Sequence, residues 1–423
     1  MADIALEKVN SVDGGFETPS VGEPDGSSGL EQLCKALNMD PHPENELQVP
    51  DINFLQVRYE MLKLPVDFTA VPSGTDVNAM RKWINECLLD GPLAKARQTC
   101  DIKRRRSTLP VEVKNISVSC SDGKGHHFTI RTYVPRLDEP QEEARPMPVV
   151  MMLHGGGWIH GRPEGDEAFS IIFASELRAV ILGIDYRLAP EHPFPAALND
   201  CCEALNWVGN PVLDRICTGK QLIVLIQVVQ NAAEYNIDPA RVVVWGGSAG
   251  ANLAAALAIK QAKIPLQESR SCLRLVSLAV PVTAHPQAQV TFASNRNIAR
   301  SHSEELFENC PPVPDVFVKE LEKLYDVYTG GPTDPYNPLV SPLMAEVDSR
   351  HPPTHVTVAA CDYLNLQGLA YAQHLRSSGV EVSEEILPGV PHGFTFPLNA
   401  DVSKRWLERQ IDAFARALAI ESS

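Results

Sequence analysis

A serine flanked by glycines lies between a predicted strand and a predicted helix. Ser248 is the centre of the motif Gly246-x-Ser-x-Gly250, which follows the apolar run 242–245 and precedes the alanine-rich run 251–258. A strand that turns this sharply into a helix strains its central residue, and side chains two positions away would clash, so both positions require glycine. The hydroxyl then lies at a helix N-terminus, whose free N–H groups favour negative charge. The motif predicts a nucleophile elbow with Ser248 as the nucleophile.

A second glycine cluster could stabilise the negative charge that such a nucleophile generates. The segment His154-Gly155-Gly156-Gly157-Trp158 directly follows the apolar strand predicted over 148–153. Glycines let the backbone approach a substrate closely, and their N–H groups can converge on one oxygen together with that of Ala249. We therefore predict an oxyanion hole here, with His154 orienting the loop rather than acting as a base.

A serine nucleophile needs a base and a carboxylate that orients the base, and two late residues fit these roles. Asp362 follows the strand predicted over 355–360, and His392 follows the last predicted strand, 380–387. The order serine, aspartate, histidine is typical of one hydrolase fold. His392 would accept the serine proton, and Asp362 would hold its tautomer. Asp185, which precedes Tyr186-Arg187, is interpreted as a structural salt-bridge residue.

The predicted strands and helices place these residues at one edge of a sheet. An antiparallel hairpin is expected over 111–120 and 127–134, and continuous apolar strands alternate with helices from residue 148 onwards. Unbroken apolar strands linked by helices indicate a mostly parallel sheet covered on both faces. The predicted class is α/β, with about eight strands in one doubly wound domain. The predicted elements are strands 148–153, 179–185, 242–245, 273–280, 355–360 and 380–387, and helices 169–178, 196–208, 314–328, 368–377 and 404–418.

The chain divides into a tail, a helical region and this main domain. Residues 1–48 are rich in Gly, Ser, Pro and acidic residues and are predicted to be a disordered tail. Residues 49–106 are predicted to be helices outside the main sheet, and residues 107–423 the main domain. Within it, an excursion over 284–343 is placed where a lid over an active site would lie.

The segment 209–227 interrupts what otherwise reads as one helix, because Gly-Asn-Pro breaks the helical pattern. We interpret this segment as a retained intron or gene-model error, with a genuine surface insertion as the alternative. Peptides from 221–227 in the purified protein would contradict the first interpretation.

Composition excludes several classes of function. The net charge of −16 disfavours nucleic acid and anionic membranes as partners. The ten cysteines include no C-x-x-C pair, and no secretory signal or membrane-spanning run is present, so we predict a cytoplasmic protein. No metal-ligand spacing and no phosphate-binding or dinucleotide motif occurs, so we expect neither a metal nor a cofactor.

With these motifs in hand, the chain resembles the hormone-sensitive-lipase-like branch of the α/β-hydrolases from about residue 111 onwards. The resemblance rests on segments 154–158, 185–197, 246–254 and 391–394. It implies an α/β-hydrolase fold with a helical cap, a triad of Ser248, Asp362 and His392, and oxyanion N–H groups from Gly156, Gly157 and Ala249. It also implies a carboxylesterase or lipase that needs no cofactor. Leu366-Gln367 depart from the Asp-Glu that the family often has.

Three functions remain open at this point. The leading one is hydrolysis of small or medium acyl esters through an acyl-enzyme on Ser248. Transfer or release of a thioester-bound or polyketide-like acyl chain, as in secondary metabolism, is the second. A non-catalytic small-molecule receptor is the third, although gibberellin receptors of this kind lack the histidine that His392 supplies. A homodimer stays open as the assembly.

Overall fold

The computed structural model describes residues 31, 34, 39, 40, 43, 46–62, 77–84, 86, 109–120, 122–137, 145–208, 234–264, 273–288, 313–395 and 398–420, and the structural statements that follow concern these residues. Their eight strands form one sheet. The strands are β1 Val111–Ser119, β2 His127–Pro135, β3 Met147–Leu153, β4 Val180–Asp185, β5 Ile237–Gly247, β6 Leu273–Ala279, β7 Thr354–Ala359 and β8 Val382–Leu387.

The order across the sheet is β1-β2-β4-β3-β5-β6-β7-β8. Strands β1 and β2 form the predicted antiparallel hairpin, and β2 is also antiparallel to β4. All other neighbouring pairs are parallel. The prediction of an eight-stranded, mostly parallel α/β sheet is confirmed, and the carboxyl ends of β3, β5, β7 and β8 meet at one edge.

The central strands are buried on both sides, which explains their continuous apolar sequence. In β3, Val149, Met151 and Leu153 belong to one core cluster, whereas Val150 and Met152 belong to the other. Successive side chains of a strand point to opposite faces, so each face must be covered by helices. The sheet is therefore the middle layer of three.

Eight α-helices have both bounds within the described residues. They are α1 Ile52–Leu62, α2 Val77–Ile84, α3 Glu167–Leu177, α4 Ala196–Val208, α5 Ala249–Ala262, α6 Asp315–Thr329, α7 Asn365–Ser377 and α8 Asp401–Ala417. Helices α4, α5 and α7 contribute to one core cluster, and α3 and α8 to the other. No helix of these ranges combines the length and the apolar character that crossing a bilayer requires.

Most predicted boundaries differ from the observed ones by a few residues, but α7 shows a difference with a clear cause. The helix was predicted to begin at Gly368 and begins at Asn365. A Cβ at Gly368 would lie 2.5 Å from Val358 Cγ1 in β7. The glycine is therefore needed inside the helix, where it lets α7 approach the sheet closely, and does not mark the helix start.

The predicted tail and insertion fall partly or wholly outside the described residues. Residues 1–30 and the interruption at 209–227 lie outside them, as do residues 289–312 of the excursion. The predicted tail extends to residue 48, yet Glu46–Gln48 form a 3-10 helix in which Gln48 is buried. Ordered packing thus includes residues that the composition assigned to the tail.

Candidate active site

The turn between β5 and α5 holds Ser248 in a strained conformation. Ser248 has φ 54° and ψ −116°, a region that residues other than glycine rarely adopt. It immediately precedes the first residue of α5, and its N–H donates to the carbonyl of Ala279 at 2.9 Å. The neighbouring strand thereby holds the turn that places the hydroxyl at the carboxyl edge of the sheet.

The two flanking glycines are required by close backbone contacts. A Cβ at Gly246 would lie 2.3 Å from the carbonyl oxygen of Gly250, and one at Gly250 would lie 2.0 Å from that of Leu153. Both distances are far below van der Waals contact, so the clash predicted from the motif is confirmed. The elbow is compressed between α5 and the end of β3.

Three sequence-predicted side chains from three strand ends meet at this edge. The Nε2 atom of His392 lies 2.9 Å from Ser248 Oγ, and its Nδ1 atom lies 2.7 Å from Asp362 Oδ2. The other carboxylate oxygen of Asp362 accepts the N–H of Leu364 at 2.9 Å, and the residue is 5 % exposed. The aspartate is thus fixed by the backbone and can hold the imidazole with Nε2 directed at the serine.

The glycine loop after β3 lies directly beside Ser248. A Cβ at Gly155 would lie 3.5 Å from the Cβ of Ser248. Gly156 and Gly157 have φ values of 123° and 58°, which glycine adopts without strain. Among the described residues no hydrogen bond occupies the N–H groups of these two glycines. Together with Ala249 at the first position of α5, they are available to an oxygen bound next to the serine.

His154 contacts its own loop rather than the serine. Its Nδ1 atom lies 2.8 Å from the carbonyl oxygen of Gly155, and its ring stacks on Tyr186 with centroids 4.1 Å apart. The hydroxyl of Tyr186 donates to the carbonyl of His154 at 2.7 Å. Burial lowers the pKa of His154 to about 4, so the imidazole is neutral at pH 7. These contacts agree with the predicted orienting role.

Helix α6 of the excursion covers the glycine loop. Trp158 stacks on Tyr328 with centroids 4.4 Å apart and also contacts Tyr325, both on α6. Leu324 lies beside the loop: its Cδ2 atom would be 3.3 Å from a Cβ at Gly157. The described part of the excursion therefore contacts the site, as expected of a lid.

Gln367 occupies a position where the family that the sequence resembles often has a glutamate, and the structure shows what the amide does there. The side-chain oxygen of Gln367 accepts the N–H groups of Thr283 and Ala284 at 2.8 and 3.0 Å. The hydroxyl of Thr283 donates to the carbonyl of Gln367 at 2.9 Å. A neutral amide thus anchors the start of the excursion to α7, where a carboxylate was expected from the resemblance.

Sequence reasoning missed a segment that connects the loops of Asp362 and His392. Residues 46–51, here called the N-terminal strap, pair with Gly389. The N–H of Gly389 donates to the carbonyl of Leu47 at 2.8 Å, and the N–H of Asp51 donates to the carbonyl of Gly389 at 2.9 Å. The side chain of Gln48 donates to the carbonyl of Ala360 at 3.1 Å. These contacts join segments more than 300 positions apart, and no motif in the sequence signals them.

We expect Gly389→Ala to detach the strap and lower activity at least about tenfold, since small displacements of catalytic groups have effects of this size. A Cβ there would lie 2.3 Å from the carbonyl oxygen of Val49. The matched control is Gly379→Ala, because Gly379 also has a positive φ but only a 3.9 Å contact to Ser349. Thermal melts and ester hydrolysis of both variants test this, and equal losses of activity would contradict the role of the strap.

The salt bridge predicted for Asp185 is not formed within the described residues. Arg187 pairs instead with Asp200 at 2.7 Å and Asp122 at 2.8 Å. Asp185 is left half-buried at the end of β4, and burial, with a contribution from Glu164, raises its pKa to about 6. A motif that places an acid beside an arginine does not determine which acid the arginine reaches.

Asp185→Asn is expected to stabilise the protein at pH 8 by about 1–2 kcal/mol, because a carboxyl group whose folded pKa is raised above its unfolded value destabilises the folded state when ionised. This penalty is complete above the folded pKa of about 6 and fades as the pH falls towards the unfolded value. Urea unfolding at pH 8 and pH 4.5 measures the difference. The control is Asp326→Asn at an exposed position of α6, and a gain that is equal at both pH values would refute the prediction.

Comparison with known proteins places this geometry in context. A family model described as alpha/beta hydrolase fold matches residues 150–396. The arylesterase of Saccharolobus solfataricus is 33% identical over 81% of this chain and 90% of its own length. The ethyl acetate hydrolase of Pseudomonas putida is 31% identical over 67% of this chain and 75% of its own. A bacterial heroin esterase structure aligns with TM-score 0.63 and 26% identity, over 87% of this chain and 98% of that one.

Proposed function

The chain belongs to the α/β-hydrolase family, in its hormone-sensitive-lipase-like branch, and on that premise we propose that Ser248, His392 and Asp362 form its catalytic triad. The protein is a carboxylic ester hydrolase, as its relatives are. The observation that carries the assignment of the triad is the continuous contact from the carboxylate through the imidazole to the serine hydroxyl.

In the acylation step, Ser248 Oγ attacks the ester carbonyl carbon while His392 Nε2 accepts the hydroxyl proton. The carbonyl oxygen becomes an oxyanion that the N–H groups of Gly156, Gly157 and Ala249 bind. The tetrahedral intermediate collapses, the C–O bond to the alcohol breaks, and His392 protonates the leaving alkoxide oxygen. Asp362 holds the imidazole through Nδ1 and stabilises the imidazolium when it forms.

In the deacylation step, His392 accepts a proton from water, and the resulting nucleophile attacks the acyl-enzyme at the same carbonyl carbon. The same N–H groups bind the second oxyanion. Collapse breaks the bond to Ser248 Oγ, which recovers its proton from His392, and the carboxylic acid leaves. The two steps together use the triad, the three N–H groups and one water molecule.

The test uses p-nitrophenyl acetate and butyrate together with a fluorophosphonate probe. We expect turnover of both esters. We also expect one probe molecule per chain, located on Ser248 by mass spectrometry of the peptides. Absence of both turnover and labelling would overturn the proposal in favour of a non-catalytic receptor. Ester formation that outruns hydrolysis when an alcohol is added would overturn it in favour of acyl transfer.

Leu324 is expected to limit the size of the esters accepted, because its half-buried side chain lies beside Gly157 of the glycine loop. Leu324→Ala should raise kcat/KM for bulky esters relative to acetate by about tenfold, and Leu324→Phe should lower this ratio, since single carbons in a pocket change selectivity by such amounts. Val316→Ala, at an exposed position of the same helix, is the control. An unchanged ratio in both Leu324 variants would refute the prediction.

Further features of the assignment are proposals supported by composition. The five described cysteines form no disulfide with one another, which fits a reducing compartment such as the cytoplasm. The net charge of −16 supports small neutral esters over nucleic acid as partners. Small or medium acyl substrates, a homodimer and a role in secondary metabolism stay predictions.

A further inference from the structure

An arginine of the N-terminal helical region binds the backbone next to the glycine loop. Arg81 lies on α2, and its Nε atom donates to the carbonyl of Ile159 at 2.5 Å. Its Nη2 atom donates to the carbonyl of Ala189, and Nη1 donates to Glu191 Oε1 at 2.6 Å. The guanidinium thus links α2 to two segments that are far from it in sequence, one at Ile159 and the other at 189–191.

The two carbonyls that Arg81 binds belong to buried residues of adjoining segments. Ile159 is 4% exposed and Ala189 is 1% exposed. The segments are already paired, because the N–H of Ala189 donates to the carbonyl of Trp158 at 3.0 Å. Buried carbonyls need donors, and a guanidinium offers several in a fixed planar arrangement that suits two neighbouring acceptors. Removing it would leave both carbonyls without this partner.

The carbonyl of Ile159 is rigidly connected to the oxyanion glycines. The carbonyl of Gly156 accepts the N–H groups of Ile159 and His160, both at 3.1 Å, which closes a tight turn. Gly156 and Gly157 lie inside this turn, so a rotation at Ile159 would change the direction of their N–H groups. Arg81 therefore acts on the turn through the carbonyl of Ile159.

We propose that Arg81 is a positioning residue that holds the oxyanion turn in its working geometry and makes activity depend on the docking of α2. This inference rests on the proposed function. The guanidinium anchors the turn at Ile159 and the adjoining segment at Ala189, and α2 carries the guanidinium. An enzyme whose α2 is displaced would keep the triad but lose part of its oxyanion stabilisation.

The test compares Arg81→Ala, Arg81→Lys and the control Glu191→Gln. Glu191 is half exposed and keeps a hydrogen-bonding oxygen in the variant, so its kcat should stay within about twofold of wild type. Rates are expressed per serine titrated by a fluorophosphonate, which removes the contribution of unfolded protein. We expect Arg81→Ala to lower kcat about 10- to 100-fold with a KM change below about threefold, since oxyanion binding acts in the transition state.

Two further readouts separate positioning from mere stabilisation. A trifluoromethyl ketone forms an adduct whose oxyanion occupies the same hole, so its affinity for Arg81→Ala should fall in parallel with kcat/KM. Added guanidinium should restore part of the activity of Arg81→Ala, whereas Arg81→Lys should stay impaired because an ammonium group lacks the planar pair of donors.

Two results would overturn the inference. A lower melting temperature of Arg81→Ala with unchanged kcat and ketone affinity would show that Arg81 only stabilises the fold. A loss of kcat without loss of ketone affinity would show that the oxyanion turn is not what Arg81 holds. The proposed function would fail separately, through absence of ester turnover in the wild type.

Discussion

Replacing Ser248 with alanine is expected to lower kcat for p-nitrophenyl butyrate by about 10⁵- to 10⁶-fold, as the loss of a serine nucleophile does in enzymes of this mechanism. The hydroxyl lies 2.9 Å from His392 Nε2 and is the atom that would become acylated. His392→Ala should have an effect of similar size, and Asp362→Asn should lower kcat by about 10⁴-fold because the imidazole would lose its tautomer. Steady-state kinetics at saturating ester measure all three.

The double variant Ser248→Ala/His392→Ala provides the sharper version of this test. Residues that act as one unit show grossly non-additive effects, so the double variant should be no slower than Ser248→Ala. His126→Gln, at a half-buried position of the β1–β2 connection where the ring contacts Asp122 and Arg187, is the control and should keep wild-type kcat. If the losses of kcat in the two single variants multiplied in the double variant, Ser248 and His392 would not act as one unit. Substantial activity of Ser248→Ala would contradict its role as the nucleophile.

Gly250→Ala is expected to destabilise the folded protein by about 3 kcal/mol or more and to leave little activity. The added Cβ would lie 2.0 Å from the carbonyl oxygen of Leu153 and 2.5 Å from that of His154. Both atoms belong to the backbone, which cannot move aside as a flexible side chain does. Either α5 must shift away from the end of β3 or the elbow must open. Urea unfolding and ester hydrolysis measure the two consequences.

Gly247→Ala is the matched control within the same motif. Its Cβ would approach the ring of Trp245 at 3.3 Å, a side-chain contact that small movements relieve. We expect a cost of about 1 kcal/mol, in the range of ordinary substitutions. If Gly250→Ala were as stable as Gly247→Ala, the compressed elbow would not explain why glycine occupies position 250.

The sequence allowed the sheet and the three triad candidates to be predicted because their signals are local. The apolar run before Ser248 has the length and composition of a buried strand, and glycines at fixed spacing mark the elbow. Asp362 and His392 could be ranked among other acids and histidines because each follows a predicted parallel strand, and such strands end at one edge.

The contacts that the sequence did not predict join segments far apart in the chain. Gln48 reaches Ala360, and Arg187 reaches Asp200 and Asp122 rather than Asp185. Neither partner follows from periodicity, since each depends on how loops pack in three dimensions. The start of α7 was misplaced for the same reason: the closeness of β7, and not helix termination, requires Gly368.

The N-terminal strap has a consequence for how the enzyme is made. Of the segments that build the site, residues 46–51 leave the ribosome first and the loop of Gly389 and His392 leaves last, yet the two are hydrogen-bonded to each other. Chains are synthesised from the N-terminus, so the strap must wait for the loop of Gly389 to be synthesised before these hydrogen bonds can form. A nascent chain that still lacks the loop of Gly389 and His392 thus has no assembled centre for cleaving esters, and the strap gains its partner only when that loop is present.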